Sequence, residues 1–455
     1  MNLFYILICV ASLSLGLFFF KDKMKSLVLF LFFGLMLPTS HQFMFLTSFK
    51  GIYFYDFFFM ILTLYFFLNI DYNVLKEKIS NNVFILLLLT LVVIYHVNLA
   101  YINNIPFDKY LLRDFRPFIM LSVAFIFIYL LDSIKIKNDL ILQYLFYVLI
   151  LKFFFFIALI LINPFSDIYY QIHIYRYRDA ITFVAVLFLI IYLFNSKDFH
   201  IKITKIRFNI ILYLSVLFLI ISNLRIIILP ICFIYIFMHE TNSQSLFKKI
   251  IISVSLIGLF IGYTKYMPLV IDKLNNKTQS VISFKNNDKD KSNSNDFKSL
   301  KKYKIQTNKN RFNNIFKVPI KELKRRYSPS LKYIEKISIR EFIFGNGIAT
   351  TFEIDHFKYR GLDTKNNSMD SLYLTFFIKY GILGLAIIFY LFIKILTVYI
   401  KTTRLKYSII FLFLILSLTS SLLYHPSTII YILFINLFAQ SLINENSSHS
   451  LHLTS

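Results

Sequence analysis

Residues 140–162 read LILQYLFYVLILKFFFFIALILI, a run in which Lys152 is the single charged side chain. Crossing a hydrocarbon layer about 30 Å thick takes about 20 apolar residues of helix, and this stretch supplies them. Comparable runs recur near 3–20, 26–46, 52–70, 82–101, 117–132, 180–195, 208–222, 225–239, 250–267, 371–400, 407–424 and 427–443. The pattern predicts an all-α, polytopic integral membrane protein with about 12–13 transmembrane helices. Composition agrees: the 455 residues are 57% hydrophobic and 19% aromatic with mean hydropathy +0.65, whereas soluble domains are about 45–50% apolar. Residues 2–20 lack a basic start and a small-residue cleavage site, so they read as a retained first helix. Cys9 and Cys232 both sit in apolar runs and read as packing residues, with no disulfide framework.

A formal net charge of +25 would suggest nucleic acid in a soluble protein. Here positively charged inner loops account for part of it, and no nucleic-acid partner is expected. One alternate set of short loops, including Lys135, Lys137, Lys197, Arg207, Lys248 and Lys401, holds 16 basic residues against 7 in the other set. The richer set is assigned to the cytoplasm. Residues 1–267 then form an N-terminal bundle of about ten spans, 268–370 one large outer loop, 371–443 the C-terminal spans, and 444–455 a cytoplasmic tail. The large loop has 22 Lys/Arg against 11 Asp/Glu, but long loops translocate largely regardless of charge. Residues 275–314 are an Asn/Lys/Asp/Ser tract expected to be disordered. Residues 323–345, with Leu331, Ile334, Ile337 and Ile339, predict an amphipathic helix.

The outer basic residues are mostly arginines: Arg113 and Arg116 before one span, Arg176 and Arg178 before another, and Arg225 in the turn Ser222-Asn223-Leu224-Arg225. A guanidinium presents a planar fork matched to phosphate oxygens, so this set suits a diphosphate; lipid-headgroup snorkelling is the plainer alternative. Asp56 near the outer face reads as a structural ion-pair partner for one of them. Asp370 heads the span after the long loop and could act as a general base or as a helix N-cap. His356 is the other candidate base, or a solvated loop histidine. His41 and His425, beside Pro38 and Pro426, read as structural. No Walker motif, Gly-x-Gly-x-x-Gly or zinc-type His spacing occurs, and Asp288-Lys289-Asp290 lies in the low-complexity tract, so neither cofactor nor metal is expected.

Phe342-Ile343-Phe344-Gly345-Asn346-Gly347, then Asp370-Ser371-Leu372-Tyr373-Leu374 and Tyr380-Gly381-Ile382-Leu383-Gly384-Leu385, resemble the O-antigen polymerase/ligase superfamily. Arg325-Arg326 followed by Tyr333 is similar to that family's basic-then-aromatic stretch, Asn223-Leu224-Arg225 to its turn between two spans, and Tyr55-Asp56 to its early Asp. The resemblance covers about a quarter of the chain and extends to the layout, with one large periplasmic loop in the second half. It implies a metal-independent glycosyltransferase of the bacterial inner membrane, acting at the periplasmic face on an undecaprenyl-diphosphate-linked oligosaccharide. Membrane lipid and a chain-length regulator are the partners it suggests. Arg225, Arg176 and Arg178 would hold diphosphate, with Arg113, Arg116, Arg325 and Arg326 in support. Ligases of the family place a His-Asn pair where this chain has Asp370-Ser371, which favours a polymerase; a ligase, or from another class a repeat-unit flippase, are the rivals. A flippase would bury charges mid-span around a cavity, and such charges are few here, Lys152 being the clearest.

Overall fold

The computed structural model describes residues 72–80, 82–104, 109–131, 137–162, 174–195, 203–239, 246–283, 327, 330–353, 365–366, 368–369, 371–420, 422–425 and 428–452, and parts of 28–36, 48–53 and 60–68. The chain is all-α. Its helices are α1 (Tyr72–Ser80), α2 (Val83–Ile102), α3 (Lys109–Leu131), α4 (Asn138–Ile162), α5 (Ala180–Asn195), α6 (Lys205–Ile221), α7 (Arg225–Phe233), α8 (Leu246–Ser283), α9 (Ile339–Phe344), α10 (Leu372–Thr397), α11 (Thr403–Thr419) and α12 (Thr428–His452). A π-helical turn, Ile234–Met238, continues α7, and a 3-10 turn, Leu422–Tyr424, precedes α12. Among the described residues, Asn138–Ile162, Leu246–Ile271 and Leu372–Thr397 are long and apolar enough to cross a membrane. At 1.5 Å per residue a 25-residue helix such as α4 is about 37 Å long, more than the hydrocarbon layer demands. The protein is therefore a multi-pass membrane protein.

Several boundaries differ from the sequence expectation, each for a local reason. Ile52 and Tyr53 pair antiparallel with Ser48 and Phe49 (β2 and β1), so residue 52 belongs to a hairpin and not to the start of a span. Tyr72–Ser80, expected as a loop, forms the polar helix α1. α3 begins at Lys109 and carries Pro117 inside it, which places Arg113 and Arg116 within the helix rather than before it. α8 likewise runs past Pro268 to Ser283, into the tract expected to be disordered from residue 275. The single helix expected over 323–345 is broken: residues 330–334 are helical, and Ser338 then starts α9 with a reciprocal capping box to Glu341.

α12 is the hub. Residues 428–442 are buried without exception, and the helix packs against α3, α4, α5 and α10. A helix apolar all round belongs in the middle of a bundle. Of its two buried amides, Asn436 and Gln440, Asn436 donates to the Ile395 carbonyl of α10 at 3.0 Å and to its own Ile432 carbonyl at 2.8 Å, so its donors are satisfied. α4, near the periphery, instead presents Leu151, Phe154, Leu161 and Ile162 outward. Exposed residues of this size suit lipid as solvent.

Contacts sort the helix termini into two ends. At one, the end of α5 meets the start of α11 through Thr402 and Asn195 (3.5 Å), and the end of α10 reaches α2 through Lys394 and Asn82. At the other, the start of α3 meets the start of α10 through Asp114 and Lys379, and the start of α10 meets the end of α11 through Tyr373 and the Leu414 carbonyl (3.0 Å). The start of α5 meets the end of α6 through Tyr177 and Ile221 (3.0 Å), at the end opposite Asn195. Arg113, Arg116, Arg176, Arg178 and the backbone of Arg225 thus share the end that carries residues 330–353. The spans expected at 3–20, 26–46 and 52–70 lie largely outside the described residues.

Candidate functional site

The site is built on a backbone lock between two glycine-bearing segments. α10 is interrupted at Gly381, whose φ of 67° no ordinary L residue adopts comfortably. That break frees the preceding carbonyls, and the turn after α9 takes them: Asn346 N–H donates to Ile378 O at 2.8 Å and Gly347 N–H to Lys379 O at 2.9 Å. Gly345 (φ 79°) and Gly347 (φ 98°) give the turn its path. The approach leaves no room for side chains. A Cβ on Gly345 would lie 2.2 Å from Lys379 O, and one on Gly381 would lie 2.1 Å from Ile343 O.

Beneath the lock lies a buried ion pair. Lys379 Nζ sits 2.6 Å from both carboxylate oxygens of Asp114, and neither side chain is exposed at all. Asp114 Oδ2 also accepts the Ala349 N–H at 2.6 Å, so one carboxylate ties α3, α10 and the turn together. The ammonium lies 5.7 Å from the Phe352 ring centroid and 5.5 Å from that of Tyr424. His96, Phe118 and Phe376 surround Tyr380 edge-on at 5.1–5.4 Å. Isolated charges would be very costly here, so the pair holds only because each is the other's partner. With no exposure, Lys379 and Asp114 position the turn rather than meet a ligand.

A second pair organises the arginine segment. In residues 175–179 burial alternates: Tyr175, Tyr177 and Asp179 are buried, Arg176 half-buried and Arg178 exposed. Asp179 accepts from Lys152 Nζ at 2.5 Å and from Tyr177 OH at 3.0 Å, and its other oxygen accepts the Ala180 N–H at 2.8 Å at the start of α5. Lys152, expected as a lone mid-span charge, is therefore neutralised. Arg176 lies 5.3 Å from the Tyr175 ring centroid and donates to its hydroxyl at 3.1 Å. Tyr177 N–H donates to Ile221 O, which brings this segment against the turn that leads to Arg225. There Asn223 takes φ 50°, Ser222 Oγ donates to Leu219 O, and Thr264 of α8 donates to Asn223 Oδ1 at 3.2 Å. Tyr263, next on α8, donates to Tyr175 O at 2.6 Å, so one helix pins both segments.

The structure thus brings Arg176, Arg178 and the Arg225 backbone together, and sets Arg113 and Arg116, both half-buried, on either side of Asp114. The Arg225 side chain lies outside the described part, as do Asp370, His356, Arg325, Arg326 and Asp56. The N-cap of α10 is Ser371, whose hydroxyl accepts the Leu374 N–H, so the capping role open to Asp370 falls one residue later. Asp114, Asp179 and Lys379 were missed in the sequence. Lys379 carries a signal, a charge set among Phe376, Phe377, Ile378 and Tyr380 where only a partner makes burial tolerable, while Asp114 and Asp179 stand beside Arg113 and Arg178, which mask theirs. Among the described residues no group of three or more His, Cys, Asp or Glu could hold a metal ion.

Residues 306–445 match the model of a family of unknown function, DUF6369. The matched stretch holds the Gly345–Gly347 turn, Lys379, Gly381 and Tyr424, but neither Asp114 nor the arginine segments. No curated protein and no solved structure matches the chain.

Proposed function

We propose that the chain polymerises a surface polysaccharide, moving the growing glycan from undecaprenyl diphosphate to a sugar hydroxyl of an incoming lipid-linked repeat unit at the periplasmic face of the bacterial inner membrane. The observation that carries this reading is the gathering, at one end of a membrane bundle, of the arginine segments and the turn locked onto α10. A diphosphate leaving group needs its developing charge stabilised, and arginine forks fixed on a rigid frame supply that without a metal. The acceptor hydroxyl would give its proton to Asp370 or His356 as its oxygen bonds to the anomeric carbon. The bond from that carbon to the diphosphate oxygen breaks in the same exchange. The two buried ion pairs are packed and closed, which supports an anchoring frame more than the central charged cavity of a flippase.

The test is the lipopolysaccharide banding of a strain deleted for the gene, with plasmid complementation. Core capped by a single repeat unit supports a polymerase. Bare core with lipid-linked polymer accumulating would make the protein a ligase, and loss of all external repeats a flippase.

A further inference from the structure

A cleft of about 540 Å3 opens beside the locked turn, between residues 332–341 and residues 346–350. That volume is within the range of small-ligand pockets, about 300–1,000 Å3. Its lining includes Lys332, Tyr333, Lys336, Glu341, Asn346 and Thr350. Lys332 lies in the short helix 330–334 and Lys336 in the turn that closes it, and both line the cleft. Among the described residues neither ammonium has an ion-pair partner. The acid in the lining, Glu341, does not answer them: its Oε2 accepts the Ser338 N–H and hydroxyl, both at 2.8 Å. Those hydrogen bonds hold its carboxyl below the usual carboxylate range, so it stays ionised and committed to the cap.

The remaining walls suit a ring bearing hydroxyls. Tyr333 is fixed by donating to Thr351 O at 3.0 Å and by its edge contact with Phe352 at 5.5 Å, so its ring is a rigid wall. Asn346 spends its backbone N–H on Ile378, which leaves its side-chain amide as both donor and acceptor. Thr350 donates to Gly347 O at 2.7 Å and keeps oxygen lone pairs to accept. Lysine ammoniums are mobile point charges that attract an anion in more than one pose, and the amide and hydroxyl beside them fit an anion carried on a hydroxylated ring, for which a sugar carboxylate serves.

We propose that this cleft is the acceptor-sugar subsite and takes a carboxylated sugar of the uronic-acid type, with its carboxylate between Lys332 and Lys336 and its hydroxyls on Asn346 and Thr350. Its place in the reaction rests on the polymerase reading, but its ligand preference does not. The test titrates the full-length protein in nanodiscs with methyl glucuronide, methyl glucoside and inorganic phosphate, followed by ligand-observed NMR. The glucuronide is expected to bind about tenfold or more tighter than the glucoside, and Lys332→Gln with Lys336→Gln to abolish that preference. Lys332→Arg with Lys336→Arg, keeping both charges, retains it. Equal binding of the two glycosides, an unchanged preference in the Gln variant at unchanged thermal stability, or displacement of glucuronide by equimolar phosphate would each overturn the subsite. Glucuronide selectivity from a protein whose deletion leaves the polysaccharide ladder intact would sink the polymerase reading and leave the subsite standing. A ladder lost on deletion, with a cleft that does not discriminate, would overturn the subsite alone.

Discussion

Lys379 and Asp114 are separated by 265 positions in the chain and by 2.6 Å in space. The pair joins α10 to α3 and, through the Ala349 N–H, holds the turn that follows α9. Removing one partner from a buried pair leaves an uncompensated charge and costs about 3–5 kcal/mol, while replacing both with apolar groups can be neutral. Lys379→Met alone and Asp114→Leu alone are expected to lower membrane abundance sharply. The double variant recovers much of it, short of wild type because Ala349 N–H then lacks its acceptor. Fluorescence-detected size-exclusion after a temperature series reads the three against one another, and a double variant no better than the singles would contradict the pairing.

The glycine lock makes a sharper contrast. Gly345→Ala and Gly381→Ala each force a methyl to about 2 Å from a backbone atom at a positive φ, and each should abolish polymer and lower stability. Gly258→Ala and Gly262→Ala in α8 meet nothing within 4 Å and should be silent or slightly stabilising, since Ala is the better helix former. A thermal-shift series over the four variants checks this. Equal effects from both sets would remove the lock from consideration.

The cap of α9 supplies a pH dependence. Hydrogen bonds from Ser338 hold the Glu341 carboxyl below its ordinary value of 4.5. A depressed folded-state value means the stabilisation is complete above the unfolded value and is lost as pH falls through the folded one. α9 should therefore be indifferent between pH 7 and about 5, and fray in more acid solution. Glu341→Gln should remove that dependence, and Ser338→Ala should cost about 0.5–2 kcal/mol at neutral pH. Amide exchange at Phe342 and Gly345 reports both, and fraying in the Gln variant over the same acid range would count against the cap.

Arg225 carries the test of the proposed diphosphate site. Arg225→Lys keeps the charge and loses the fork, so it should impair polymer synthesis, and Arg225→Ala should impair it further. Loss of one charge-stabilising contact in a transition state costs about 2.7–4 kcal/mol, or about 10²–10³ in rate. Complementation gels with blotted protein levels measure this. A wild-type ladder from Arg225→Ala at normal abundance would move the site to Arg176 and Arg178.

Sidedness can be read chemically. Ser338 and Lys406 belong to opposite ends of the bundle. Cysteines introduced at the two positions should differ in reaction with an impermeant maleimide on intact cells, with Ser338→Cys the labelled one. Equal labelling would contradict the orientation drawn from the basic residues.

Helix positions were legible in the sequence where the apolar run decides them: 180–195 is α5 to the residue, and the 222–225 turn falls where Asn223 allows a left-handed backbone. What escaped was pairing. The Gly345–Gly347 turn and the Tyr380-Gly381 step were each visible, but their embrace depends on carbonyls exposed only once α10 breaks. Asp114 and Asp179 stood beside arginines that drew the chemical interest, while their partners lay 265 and 27 positions away. The apolar positions from 331 to 339 suggested one continuous helix. The Ser338–Glu341 pair was the contrary signal, because a good N-cap starts a helix and so ends the one before it.

The central place of α12 bears on how the protein is made. Among the described residues, the helices it packs against most, α3, α4, α5 and α10, all precede it in the sequence, so a ribosome feeding the membrane delivers the walls before the pillar. Until α12 is inserted, the inward faces of α3, α4, α5 and α10 have only lipid or one another to touch, and Asp114 and Lys379 must find each other in a loosely gathered assembly. Domains emerging from synthesis usually settle in order from the N-terminus. Here the bundle can mature only after its late helix arrives, so a stall upstream of residue 428 should leave a substrate for membrane quality control rather than a smaller working protein.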